Sequence, residues 1–218
     1  IPEEYSGSGF KFEDMSILLE EMGRVALSGP FFSTAVVGVQ SLLISGNESQ
    51  KKELLPKISS GQIKLSLAFN ESTGSFDESE ISNTVATKNQ NGWTLNGEKL
   101  FVNDAIGSDY FIVASKSENN EGISLFLVPS NTEGIEIEKM ESIGGDKIFK
   151  VKFNEIKLDD TQLLGEENQG WETLSQLFSY GASGKSSEMS GASSKVMDMT
   201  LDYIKDRKQF DRPIGSFQ

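Results

Sequence analysis

Cysteine and histidine are both absent from the 218 residues, and this decides which side chains are left to do chemistry. Thiol nucleophiles, disulfides, Cys or His metal ligands and imidazole acid–base pairs are excluded together. Proton transfer is left to carboxylates, hydroxyls, lysines or a bound cofactor. Three short stretches have residue types and spacings suited to a ligand. Gly74-Ser75 falls in a polar turn after an apolar run. A residue without Cβ there lets the backbone approach a phosphate, although the same pair also suits an ordinary surface turn. Phe101 and Asn103 are two apart on an extended run. They share a face, an aromatic wall beside a hydrogen-bonding amide, or else a plain strand aromatic beside a turn Asn. Arg207 stands three residues before Phe210. Its guanidinium fork can hold two phosphate oxygens at once, or it can complement the end of a helix.

The elements that must carry these residues follow from periodicity. Met15, Leu18, Leu19, Met22 and Val25 make one helical stripe, with Glu13 and Asp14 in its first turn. A second apolar run, Phe31 to Ile44, stops at Gly46, and Asn47 with Gln50 forms a capping box for a third helix. From Leu65 the pattern turns to short strands: Leu65–Phe69, Thr84–Lys88, Trp93–Leu95, Tyr110–Ala114, Ile123–Val128, Ile135–Ile137 and Val151–Phe153. Asn96-Gly97 has the signature of a two-residue hairpin loop, which would set Trp93 opposite Leu100 and send Phe101 and Asn103 to the other face. From about Glu166 the helical period returns, with Met189, Ala192, Val196, Met199 and Tyr203 on one face. The small-residue stretch Ser179–Ser194 suits either a flexible linker or close helix packing.

The expected fold is therefore an α+β multidomain chain. A helical N-terminal part spans residues 1–63, a β-sandwich or barrel domain spans 64–165, and the start of an α-helical bundle spans 166–218. A formal charge of −13, with 20 basic against 33 acidic residues, excludes the clustered basic face that nucleic acid needs. No apolar run approaches a membrane span, and Ile1 opens no signal segment, so the expectation is a cytoplasmic protein without a membrane span.

Seven landmarks then fall in order: Gly46–Gln50 with Leu55-Pro56, Phe69-Asn70-Glu71, Gly97–Asp109, Leu125–Pro129, Ile143-Gly144-Gly145, Gly165–Trp171 and Arg207–Gln218. Together they resemble the acyl-CoA dehydrogenase family across almost the whole chain. The resemblance implies a truncated fragment of that fold and FAD as cofactor. It further implies α,β-dehydrogenation of an acyl thioester, on CoA or an acyl carrier protein, to the trans-2-enoyl product. In the family a Thr-Glu-Pro-Gly-Ala-Gly-Ser-Asp turn contacts flavin and phosphate. Its counterpart here is Asn70–Asp77: with Asp77 in register Phe76 takes the serine position, whereas a one-residue deletion puts Gly74-Ser75 in place of the Gly-Ser, and this favoured alignment assigns Phe69, Asn70, Gly74 and Ser75 to the cofactor and Ser75 also to substrate. Phe101-Val102-Asn103 stands where the family has Trp, an aliphatic residue and Thr, and implies a flavin wall with Asn103 as the hydrogen-bonder. Arg207, Phe210 and Gln218 match residues that reach the FAD of a neighbouring subunit, which implies a homo-oligomer, dimer or tetramer.

The departures from the family pattern matter equally. Gly181 and Ala182 occupy the place of an acidic-Arg pair that supplies the base in part of the family, and Glu188 is too far along the helix to replace it. The base is thus expected beyond Gln218, the isolated chain is expected to be inactive, and Met189, Val196 and Met199 are expected to be partly uncovered. Electron-transfer flavoprotein is an implied acceptor. The same resemblance leaves room for a flavin oxidase or monooxygenase, or for a catalytically degenerate subunit or binding module.

Overall fold

The computed structural model describes residues 1–118 and 121–217. It divides into two compact units, Ile1–Gly9 with Gly29–Tyr180, and Phe10–Ser28 with Gly181–Gln218.

Helices open the first unit. A π-helical segment, Phe32–Gly38, leads into α2 (Val39–Ser45), which stops at Gly46. Gln50 N–H then donates to Asn47 Oδ1 at 2.9 Å and Asn47 N–H to Gln50 Oε1 at 3.0 Å, so the capping box starts α3 (Glu48–Ser59) as expected. The Gln50 amide also reaches the carbonyls of Thr161 and Leu163, tying α3 to the end of the sheet.

Eight strands form one mixed sheet: β1 (Leu65–Ala68), β2 (Val85–Asn89), β3 (Gly92–Asn103), β4 (Tyr110–Ser117), β5 (Ile123–Pro129), β6 (Ile135–Lys139), β7 (Ile148–Leu158) and β8 (Leu163–Leu164). Their order is β6-β7-β3-β2-β4-β5-β8, with β1 added to β4. β4 pairs in parallel with β1 and β2 and antiparallel with β5. Its successive side chains enter two different clusters. Ile112 and Ala114 pack with Leu42, Leu55 and Leu174 of the helices. Phe111 and Val113 pack with Trp93, Phe126 and Phe153 of the sheet itself. Burial on both faces explains why β4 and β5 read as unbroken apolar runs.

The hairpin lies elsewhere than expected. β2 and β3 turn between Asn89 and Gly92, and Trp93 pairs with Lys88 rather than Leu100. Asn96-Gly97 sits inside the twelve-residue β3, opposite an extra residue in β7 that shifts the register between Leu95 and Gly97. The Asn96 side chain accepts Glu155 N–H at 2.8 Å there. Gly97 adopts φ +149°, and a Cβ would stand 2.5 Å from Thr84 Cα. The glycine thus serves close approach, not a turn.

Helix α4 runs unbroken from Gly170 to Asp206, so the small-residue stretch is helix and not linker. Its serine hydroxyls turn back onto the carbonyl four residues earlier, as Ser175 does to Trp171 and Ser186 to Ala182. In the second unit, residues 181–206 of this helix pack on α1 (Phe12–Arg24). A Cβ on Gly191 would stand 1.8 Å from the Glu20 carbonyl and one on Gly23 2.0 Å from that of Glu188, so glycines set the helix approach. Arg24 bridges to Asp198 at 2.9 Å. Of the expected α1 stripe, Leu19 and Met22 are buried, whereas Leu18 and Val25 are exposed. Met189, Val196, Met199 and Tyr203 of α4 are exposed as well. No helix among the described residues is long and apolar enough to cross a membrane.

Candidate functional site

The end of β3 carries the best-defined edge. Between Lys99 and Val102 the register on β7 shifts by one residue, a bulge on β3 at whose centre Phe101 takes φ +54°. That conformation is uncommon for an aromatic side chain. The bulge points both Lys99 and Val102 inward, where each is fully buried, and leaves Phe101 and Asn103 exposed. Phe101 and Asn103 are thus both at the surface, at a bulge and not at the hairpin that the sequence suggested. Backbone bonds fix this edge. Leu100 N–H donates to the Asn70 carbonyl at 2.8 Å, and the buried Ser66 hydroxyl donates to the Asn103 carbonyl at 2.6 Å.

The turn after β1 lies against the same edge. Gly74, at φ +70°, faces the Phe101 ring, which is 3.5 Å from the place of a Cβ. Asn70 Nδ2 donates to the Ser75 carbonyl at 2.8 Å, and Ser75 Oγ donates to Asp77 Oδ2 at 2.7 Å. Phe69 is buried; its ring lies 6.2 Å from that of Phe76 and 4.9 Å from that of Phe178. Phe69, Asn70, Gly74, Ser75, Phe101, Val102 and Asn103 thus belong to one region. Within it, Phe69 and Val102 are covered, while Gly74, Ser75, Phe101 and Asn103 reach the surface.

Beneath this region lies a buried ion pair that the sequence reading missed. Lys99 Nζ donates to Glu71 Oε1 and to the Phe69 carbonyl, both at 2.9 Å. The two side chains are 0% and 2% exposed. Burial alone would raise the Glu71 pKa; the Lys99 charge and hydrogen bonds from Lys99 and the N–H groups of Asn83 and Ser82 overcome it and hold the carboxylate at about 2. Burial lowers Lys99 to about 8 against the opposing pull of Glu71 and Glu80, so the pair is ionised at neutral pH. A second buried carboxylate, Glu80, accepts the N–H groups of Glu71, Thr73 and Gly74 at 2.8, 3.0 and 3.1 Å and the Thr73 hydroxyl. Burial acts to raise Glu80 too, and these bonds more than offset it, leaving its pKa lowered.

Arg207 and Phe210 stand in the second unit, on a hairpin of β9 (Lys208–Gln209) and β10 (Arg212–Pro213) that follows α4. Phe210 and Asp211 form its loop with φ +52° and +62°, the geometry of a type I′ turn. Arg207 is exposed and makes no ion pair among the described residues, and Phe210 is 88% exposed. Gln218 lies outside the described residues. Gly181 has open space where a side chain would stand.

Family models match this arrangement from its first residue. The acyl-CoA dehydrogenase N-terminal domain matches residues 1–62 and the middle domain residues 66–161. The chain belongs to the acyl-CoA dehydrogenase family. It is 31% identical over 227 residues to a 3-(aryl)acrylate reductase of Clostridium sporogenes, covering 100% of this chain and 60% of that protein. The butyryl-CoA dehydrogenase structure from Megasphaera elsdenii superposes with a TM-score of 0.92 at 26% identity, again over 100% of this chain and 60% of the other. An acyl-CoA dehydrogenase complexed with FAD from Bacillus anthracis gives a TM-score of 0.91 at 25% identity, over 100% and 39%. The chain thus spans about 60% of the length of the first two. Within this acyl-CoA dehydrogenase fold, Lys99 and Glu80 are the residues that sequence reasoning did not find. Neither carries a sequence signal: Glu80 follows the exposed polar run Asp77–Ser79, Lys99 lies between half-buried neighbours, and no spacing or period marks their partners.

Proposed function

We propose that this chain binds FAD along the Phe101–Asn103 edge and forms the flavin-binding part of an enzyme that dehydrogenates an acyl thioester at the α,β position. The observation that carries this reading is the bulge in β3. It exposes an aromatic ring and a side-chain amide together, next to a glycine that leaves room beside the ring. A planar heteroaromatic ring fits that combination: Phe101 walls one side, and the Asn103 amide, which makes no hydrogen bond among the described residues, can donate or accept at the ring edge. The turn offers less to a pyrophosphate, because the N–H groups of Thr73 and Gly74 already serve Glu80. The exposed Arg207 remains for phosphate oxygens, serving a second copy of the chain in a dimer or tetramer, and Ser75 would reach phosphate or substrate oxygens by exchanging its hydroxyl bond to Asp77. When bound, FAD supplies the two-electron acceptor for the reaction.

The thioester, on CoA or a carrier protein, and an electron-transfer flavoprotein as acceptor belong to the same proposal, as do a cytoplasmic location and domain limits of 1–63, 64–165 and 166–218. No carboxylate stands at Gly181 or Ala182. This favours, as a second reading, a subunit that keeps the fold and has lost the chemistry. Titration with FAD, followed by flavin fluorescence quenching, tests the first reading. Saturable quenching supports it, and a protein that leaves flavin fluorescence unchanged promotes the second.

A further inference from the structure

The excursion between β1 and β2 contains no helix beyond one short 3-10 turn, yet two buried carboxylates hold it from opposite ends. Glu71, near its start, accepts the N–H groups of Ser82, Asn83 and Thr84 at 3.0, 2.7 and 3.0 Å near its end. Glu80, near its end, accepts those of Glu71, Thr73 and Gly74 near its start. The clasp is reciprocal, and Lys99 anchors it to β3 through Glu71. Successive N–H groups converging on a carboxylate make a nest, and hydrogen bonds to a charged acceptor are the stronger kind. Gly74 is the member of that nest that faces Phe101. Its backbone position therefore sets the gap between the turn and the aromatic wall.

We infer that Glu80 is a positioning residue for the flavin edge: by holding Thr73 and Gly74 in the clasp, it fixes the turn against Phe101 and so sets both the affinity for the flavin ring and its environment. This rests on the flavin reading above. Glu80 would touch no ligand; it acts through Gly74.

The test compares the chain with Glu80→Ala, Glu80→Gln and Thr73→Val, measuring the FAD dissociation constant, the visible spectrum of bound flavin and amide exchange. In Glu80→Ala the amides of Thr73 and Gly74 should exchange faster while those of Ser82 to Thr84, held by Glu71, stay protected. FAD should bind about tenfold or more weakly, equivalent to about 1.4 kcal/mol, and the bound spectrum should shift. Glu80→Gln keeps an acceptor oxygen and should lie closer to the parent, and Thr73→Val, which removes one hydroxyl contact, should be intermediate. Freed amides combined with parental affinity and spectrum would overturn the inference and leave the flavin reading intact. Tighter binding by Glu80→Ala would also overturn it. Failure of the parent chain to bind FAD would remove both. Should Glu80→Ala not fold, the other two variants decide by the same criterion.

Discussion

Replacing Lys99 with methionine keeps the volume of the side chain while removing the cation that, among the described residues, pairs with the buried Glu71 carboxylate. Glu71 Oε1 then loses its 2.9 Å partner, and the Phe69 carbonyl loses its donor. The carboxylate retains the N–H groups of Ser82, Asn83 and Thr84, so part of its solvation survives. Breaking a buried pair by removing one member costs about 3–5 kcal/mol, chiefly because the other charge stays behind. For a chain of this length that corresponds to a fall in the melting temperature of roughly 6–20 °C. Adding Glu71→Gln to the same chain neutralises the stranded charge and should recover about 1–3 kcal/mol, a coupling that a double-mutant cycle in urea reads directly. A Lys99→Met loss below about 1 kcal/mol, the range of an exposed pair, would show that the charges are solvated and the clasp has no electrostatic anchor.

Acid should act on the same group. Because the folded pKa of Glu71 is depressed to about 2 from 4.5, its stabilisation is complete above about 4.5 and is lost as pH falls through that window, which urea unfolding at a series of pH values will show. In Lys99→Met this acid loss should shrink or reverse, because burial then raises the Glu71 pKa and protonation neutralises the stranded charge as Glu71→Gln does. Gly191→Ala places a Cβ 1.8 Å from the Glu20 carbonyl, so α1 and α4 must separate, and amide exchange in α1 should rise at a cost of about 1–3 kcal/mol. Asn47→Ala removes the cap of α3 and should cost about 1 kcal/mol by thermal melting, with the flavin edge unchanged.

Much of the fold was legible because its signals are local. The strands announce themselves by short β-branched and aromatic runs between turns, and the Asn47–Gln50 box by two residues three apart. The turn of β2 and β3 was assigned to the wrong Asn-Gly. Asn91-Gly92 carries the same dipeptide five residues before Asn96-Gly97, and only the distant contact of Gly97 with Thr84 separates a turn glycine from a packing glycine. Ser179–Ser194 admits a linker beside the favoured helix because composition does not record that serine hydroxyls bond back to the preceding turn. Phe101 and Asn103 were placed together by strand alternation, yet the structure brings both to the surface at a bulge that no local pattern announces. Lys99 was invisible for a further reason. A lysine in an alternating strand reads as solvent-facing, and its partner is 28 residues away.

The central claim is that flavin lies on the edge formed by Gly74, Phe101 and Asn103. Titrating the isotopically labelled chain with FAD, while following the Asn103 side-chain amide, the Gly74 backbone amide and the Phe101 ring by NMR, tests it most directly. The expected result is that these three signals shift together and saturate at one dissociation constant, while the capping amides of Asn47 and Gln50 stay still. Saturable FAD binding that leaves Gly74, Phe101 and Asn103 unmoved would contradict it.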